Sequence, residues 1–176
     1  MAPHLPPIIE DWFAARGWTP RAHQRDVLVS HQSGASQLLI APTGAGKTLA
    51  GFLPTLSDLV DGQFEGLHTL YISPLKALAV DVQRNLSTPI AEMGLPIRVE
   101  TRTGDTSAAK RARQRVKPPQ VLLTTPEQLA LLISHPHAEL MFGTLRRVVL
   151  DELHALVTSK RGELLSLGLA RLAGLA

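Results

Sequence analysis

Apolar positions along this chain recur in two patterns. Short apolar-rich runs at 37–41, 68–73, 97–101, 120–124 and 146–152 read as strands. Between them the spacing is helical. Residues 8–17 predict a short helix, and Thr19-Pro20 fits the cap and first position of the next. Residues 47–60 predict another, and Leu75, Leu78, Ala79, Val82 and Leu86 form a helical stripe. Strands alternating with helices predict an α/β fold, a mainly parallel sheet flanked by helices in three layers. Ligands of such sheets collect at the carboxyl ends of the strands. Near the end, Leu165, Leu169 and Leu172 make an apolar helical face with nothing after it, which reads as a chain cut from a longer protein at a domain boundary.

Composition narrows this picture only in places. At 176 residues, with 44 % hydrophobic and 19 % charged, the chain is long enough for one well-buried core. No apolar stretch nears the roughly 20 residues that cross a bilayer, so no membrane partner is expected. Residues 1–12 have neither a basic leader nor a continuous apolar run, which argues against a secretory signal. The absence of cysteine excludes disulfides and thiolate metal sites and is compatible with a cytosol. A net charge of +3 permits nucleic-acid binding without arguing for it.

Candidate chemistry begins at Ala41-Pro-Thr-Gly-Ala-Gly-Lys-Thr48. It matches the phosphate-loop pattern except at Ala41, where glycine is usual. Gly44 and Gly46 let backbone N–H groups of Thr43 to Gly46 turn inward around phosphate oxygens. A helix starting at Lys47 turns its positive end to the same anion. Lys47 adds a cation for the outer phosphates, and the Thr48 hydroxyl can ligate Mg²⁺. A strand-to-helix turn that merely needs glycines is the plainer reading.

About a hundred residues on, a predicted strand ends in Asp151-Glu152-Leu153-His154. Such an aspartate can hold a Mg²⁺ shell, and the next glutamate can act as general base on water. The plainer reading is a helix N-cap with an acidic first turn. His154 is superfluous in a simple nucleotide switch. In a motor it could sense the γ-phosphate and pass a hydrogen bond to another domain.

Together "APTGAGKT" and "DELH" resemble the first and second motifs of superfamily 2 DExH-box helicases. Other segments match in order. Gln24 in "TPRAHQRD" resembles the adenine-reading glutamine, with Trp18 or Arg21 as stacking partner. "SPLKALA" resembles motif Ia, "RTGDT" the segment after it, and "TTPEQL" motif Ib. The fuller wording is similar to the large-helicase-related group and its bacterial ligase-associated branch. The resemblance implies a RecA-like ATP-binding domain at 37–176, after N-terminal helices at 1–36 that carry the glutamine segment. It also implies ATP and Mg²⁺ as cofactors, single-stranded or partly duplex DNA as partner, and work in DNA repair in a bacterial cytoplasm beside a DNA ligase and nuclease. A second RecA-like domain of the same polypeptide, not found within these residues, would complete the ATP clamp. This stretch alone is therefore expected to bind nucleotide weakly, hydrolyse it slowly and not unwind.

Pro74, Lys76, Arg102, Thr103, Gly104, Thr125 and Pro126 follow three of the predicted strands, where backbone and hydroxyl groups suit phosphate contacts that read no sequence. The leucines of "PLKALA" read as core, and Thr125-Pro126 equally fits a helix cap with Glu127 complementing the dipole. The basic run at 110–117 reads first as a solvated helix face. His135 and His137, lacking a third ligand, read as surface residues. A phosphotransferase acting on a small molecule, an ATP-gated nucleic-acid adaptor and an RNA helicase remain as rival readings.

Overall fold

The computed structural model describes residues 5–42 and 44–176, so Thr43 lies outside the described residues. The chain divides into two compact units, residues 1–63 with 88–96, and residues 64–87 with 97–176.

The first unit holds α1 (Pro7–Ala15), α2 (Ala22–Gln32) and α3 (Lys47–Leu59). Ile9 and Phe13 of α1, Leu28 of α2 and Ala50, Phe52, Leu53, Leu56 and Leu59 of α3 are buried, the last five at helical spacing. Helices α2 and α3 pack together, and His31 reaches Asp58 between them at 2.9 Å. Helix α2 starts at Ala22 and not at Thr19-Pro20. Gln24, the third helical residue, turns back so that its Oε1 accepts the Arg21 N–H at 2.9 Å, which makes Arg21 the cap.

Residues 37–41 form no strand. Leu38 is 69 % and Ile40 86 % exposed. An apolar run of five residues carries no ladder of its own, so a partner decides whether it becomes a strand. No described strand pairs with it.

The second unit carries the sheet: β1 (Thr69–Ile72), β2 (Val99–Arg102), β3 (Val121–Thr124) and β4 (Arg147–Leu150), all parallel, in the order β2-β3-β1-β4. Strands β1 and β3 are central and wholly buried, as their unbroken apolar runs require. Strand β4 lies at an edge and is only partly covered. The connecting helices are α4 (Lys76–Glu92), whose residues from 88 onward belong to the first unit, α5 (Ala108–Val116), α6 (Pro126–Ile133) and α7 (Ala138–Phe142), with a 3₁₀ turn at Leu153–Ala155 and α8 (Lys160–Leu172) after β4. Ala79, Val82 and Leu86 of the predicted α4 stripe are buried, whereas Leu75 precedes the helix and is exposed.

The apolar face of α8 is covered within this unit. Leu165 and Leu172 join a core with Leu129, Leu132 and Ile133 of α6, and Leu169 packs against it. Arg161 of α8 grips Glu127 of α6, its Nε to Oε1 and its Nη2 to Oε2 at 3.0 Å. That guanidinium draws the Glu127 carboxyl down from 4.5 to about 2. A carboxylate depressed in the fold stabilises fully above pH 4.5 and loses its contribution as the pH falls toward about 2. The side chains are 40 % and 45 % exposed, so screening limits the contribution to about 1 kcal/mol or less. Arg161→Ala is expected to lower the urea midpoint at pH 7, with the difference from the parent shrinking steadily below pH 4.5. A difference that grows on acidification would contradict this. No described helix is long and apolar enough to cross a membrane.

Candidate functional site

In the first unit, the loop before α3 has the backbone a phosphate cradle requires. Gly44 and Gly46 sit at φ 77° and 78°, in the left-handed region that favours glycine. At Gly46 there is a second reason: a Cβ would lie 3.0 Å from the Gln24 Nε2. Gly46 caps α3 and offers no side chain of its own to the first helical N–H groups, the kind of helix start at which anions bind. Lys47 is folded back, its Nζ donating to the carbonyls of Ala41 at 2.7 Å and Pro42 at 3.1 Å. Two neutral carbonyls are weak partners for an ammonium, and a phosphate oxygen would compete with both. Ala45 is half-buried, and Thr48 is exposed at the start of α3.

Beside the loop is a cavity of about 440 Å³ lined by Phe13, Trp18, Arg21, Gln24, Gly46 and Leu49, among others. The three residues assigned to the base thus share one space with Gly46 of the loop before α3. Gln24 is 4 % exposed and links the two parts, its Nε2 donating to the Gly46 carbonyl at 3.4 Å. Arg21 donates to the Gly44 carbonyl, also at 3.4 Å.

In the second unit, strand register lines up a separate set of candidate residues. Ile72 pairs with Thr124 and Leu150, and Thr124 with Arg102, so four strands end in one row. The residues that follow, Thr103-Gly104, Thr125-Pro126, Ser73-Pro74 and Asp151-Glu152, therefore share one edge, the carboxyl edge of a parallel sheet.

Asp151 is held on both oxygens. The Glu152 N–H donates to its Oδ1 at 3.0 Å, and the Tyr71 hydroxyl of β1 donates to its Oδ2. Burial, and then the Asp151 carboxylate, push the Tyr71 phenol well above its ordinary value, so it stays protonated and remains a donor. Glu152 has φ 48°, the one positive φ outside glycine among the described residues. Such a backbone costs on the order of 1–3 kcal/mol and clusters at functional sites. Its carboxylate Oε2 lies 3.4 Å from the Nε2 of His154, which is exposed.

Of the nucleic-acid candidates, Lys76 and Gly104 are exposed, while Pro74, Arg102, Thr103, Thr125 and Pro126 are buried. Lys76 pairs with Asp105 at 2.7 Å. Arg102 donates to the Arg111 carbonyl at 3.2 Å, and Arg111 donates back to the carbonyls of Thr103 at 3.1 Å and Gly104 at 2.6 Å. Burial, with Arg115 and Arg111 nearby, lowers the Arg102 guanidinium to about 10, still charged near neutrality. Part of the basic run on α5 thus holds the 103–106 loop. Gln114 there is fully buried and donates to Glu100 and to the Thr101 carbonyl. Nothing in the spacing marked Tyr71 or Arg111 beforehand, because each acts through a residue distant in sequence or through main-chain carbonyls.

No group of three or more His, Asp or Glu among the described residues could hold a metal unaided. Magnesium bound with phosphates needs only one or two protein oxygens, and the Thr48 hydroxyl and Asp151 carboxylate are hard donors of that kind. Each Asp151 oxygen accepts one bond from the protein and keeps a lone pair. The donor chemistry fits.

A DEAD/DEAH box helicase family model matches residues 21–175. ATP-dependent helicase Lhr-Core of Methanothermobacter thermautotrophicus is 40 % identical over 96 % of this chain, which spans 21 % of that relative. The Lhr helicase/probable uracil glycosylase of Mycolicibacterium smegmatis is 42 % identical over 94 % of the chain, here 12 % of the relative. The Mycobacterium smegmatis helicase Lhr, solved bound to ssDNA and AMP-PNP, superimposes with a TM-score of 0.89 at 41 % identity over 97 % of this chain and 23 % of that one. The chain therefore spans a quarter or less of these proteins.

Proposed function

Because this chain belongs to the DEAD/DEAH box helicase family, we propose that it is the ATP-binding first motor domain of a DNA helicase or translocase of the large-helicase-related group, acting in DNA repair. The observation that carries the reading is the Asp151-Glu152 turn, a carboxylate fixed on both oxygens beside a strained glutamate, on the sheet edge shared with the nucleic-acid candidates. In this reading Gly44, Ala45, Gly46 and Lys47 take the phosphates, together with Thr43. Trp18, Arg21 and Gln24 take the base. Thr48 and Asp151 hold Mg²⁺, which when bound neutralises phosphate charge. Glu152 accepts the proton of the attacking water, and His154 relays the state of the site to a second RecA-like domain of the same polypeptide.

Pro74, Lys76, Arg102, Thr103, Gly104, Thr125 and Pro126 are assigned to single-stranded DNA. The buried members act through their backbone and by shaping the loops, since phosphate contacts position a strand without reading it. The clasp between Arg102 and Arg111 keeps the 103–106 loop in shape for that contact. A DNA ligase and a nuclease are proposed as neighbours in the same repair system, and the bacterial cytoplasm as its place. Residues 37–176 are proposed as the RecA-like portion, preceded by the helices that supply the base pocket.

The test is ATP turnover by the full-length protein with and without single-stranded DNA. Stimulation of tenfold or more by DNA is expected. Turnover indifferent to DNA but raised by a metabolite would overturn the motor in favour of a phosphotransferase. Binding without turnover would favour an adaptor, and stimulation by RNA alone would reassign the substrate.

A further inference from the structure

Trp18 is 55 % exposed, although it lines the cavity proposed for the base. A large aromatic left in water and yet held in place is an arrangement suited to stacking. Its holding comes from residues that do not line the cavity. Trp12 meets Trp18 edge to face, with ring centres 5.8 Å apart at 84°. The Arg16 guanidinium lies 4.4 Å from the Trp12 ring centre and 5.7 Å from that of Trp18. Both are tied to Glu92 of the same unit, whose Oε2 accepts from the Trp12 Nε1 at 2.9 Å and from Arg16. The Trp18 N–H also donates to the Phe13 carbonyl at 2.9 Å, and Phe13 is buried against the cavity.

We propose that Glu92, Arg16 and Trp12 form a brace that pre-orients Trp18 as the stacking surface for the nucleobase, so that they set affinity for the base and not for the phosphates. This rests on the nucleotide reading above. The physical reason is pre-organisation. A tryptophan fixed before binding loses little rotamer freedom when a base stacks on it, whereas a loose one must be ordered at that moment. The side-chain hydrogen bonds at Gly44, Gly46 and Lys47 run to Arg21, Gln24 and the carbonyls of Ala41 and Pro42, and not to the brace residues. Changes in the brace should therefore separate base from phosphate.

Calorimetric titration of the full-length protein with ADP and, separately, with inorganic tripolyphosphate tests this. Glu92→Gln is expected to weaken ADP by about threefold to fivefold, the scale of a cation–π contact, and to leave tripolyphosphate unchanged. Arg16→Lys keeps the charge but loses the planar face, and is expected to behave alike. Trp18→Leu, which removes the stacking surface, should weaken ADP by about tenfold or more. Equal weakening of both probes by Glu92→Gln, or no change in ADP binding, would overturn the brace and leave the nucleotide reading intact. Failure of the parent protein to bind either probe would overturn the nucleotide reading, and the brace with it.

Discussion

Glu152→Gln is expected to lower ATP turnover by about 10²–10⁴-fold while nucleotide affinity changes little. The substitution keeps the shape of the side chain and removes the proton acceptor. It also keeps the backbone problem, because glutamine at φ 48° is as strained as glutamate. Asp151 should hold its place, since its carboxylate is held by the residue-152 N–H and the Tyr71 hydroxyl and its own N–H donates to the Ile72 carbonyl at 2.9 Å, none of which depends on the Glu152 carboxylate. The groups proposed to bind phosphate, at Gly44 to Thr48, lie outside this turn altogether. Loss should therefore appear in the single-turnover rate of hydrolysis and not in the dissociation constant of a non-hydrolysable nucleotide. Turnover within a few-fold of the parent would remove Glu152 as the base. A parallel collapse of binding would show that the residue holds the nucleotide instead.

Gly162→Ala is expected to be the most damaging single methyl in the second unit, at about 3 kcal/mol or more. A Cβ at 162 would lie 1.9 Å from the Leu156 carbonyl oxygen and 2.8 Å from its carbon. Both are main-chain atoms of a residue buried in the core, so neither can swing aside. Gly162 is also where α8 is capped: its N–H donates to the Ser159 Oγ at 3.2 Å and to the Ser159 carbonyl at 2.9 Å. Relieving the clash by moving the helix start would break those bonds and shift Leu165 off the core. Chemical unfolding of the parent and the variant measures the difference. Gly104→Ala is the control, because its added carbon meets nothing within 4 Å, and a change within about 0.5 kcal/mol is expected there. A variant at 162 as stable as that control would show that the turn before α8 yields easily.

Much of this protein was legible along the chain because the deciding chemistry is local. The apolar-rich runs read at 68–73 and 120–124 became the central strands at 69–72 and 121–124, since so apolar a stretch is stable only when covered on both faces. Thr125 and Pro126 became the cap and first residue of α6, where a fixed φ and a missing N–H suit the helix start. The left-handed glycines at 44 and 46 were readable because such torsions belong to the residue type itself.

Other features depended on partners that spacing does not reveal. Residues 37–41 have a strand's composition and no ladder, because pairing is a property of two segments and not of one. Helix α2 begins two residues later than Pro20 would suggest, where the Gln24 side chain closes on Arg21. Tyr71 reaches Asp151 and Trp12 reaches Glu92 across 80 residues in each case, and Leu156 sets the need for glycine at 162. The sequence by itself determined which groups could do chemistry and at which element ends they stand. Only the tertiary structure decided which of those groups are held, by what, and how firmly, because side-chain contacts over such separations arise when the chain packs.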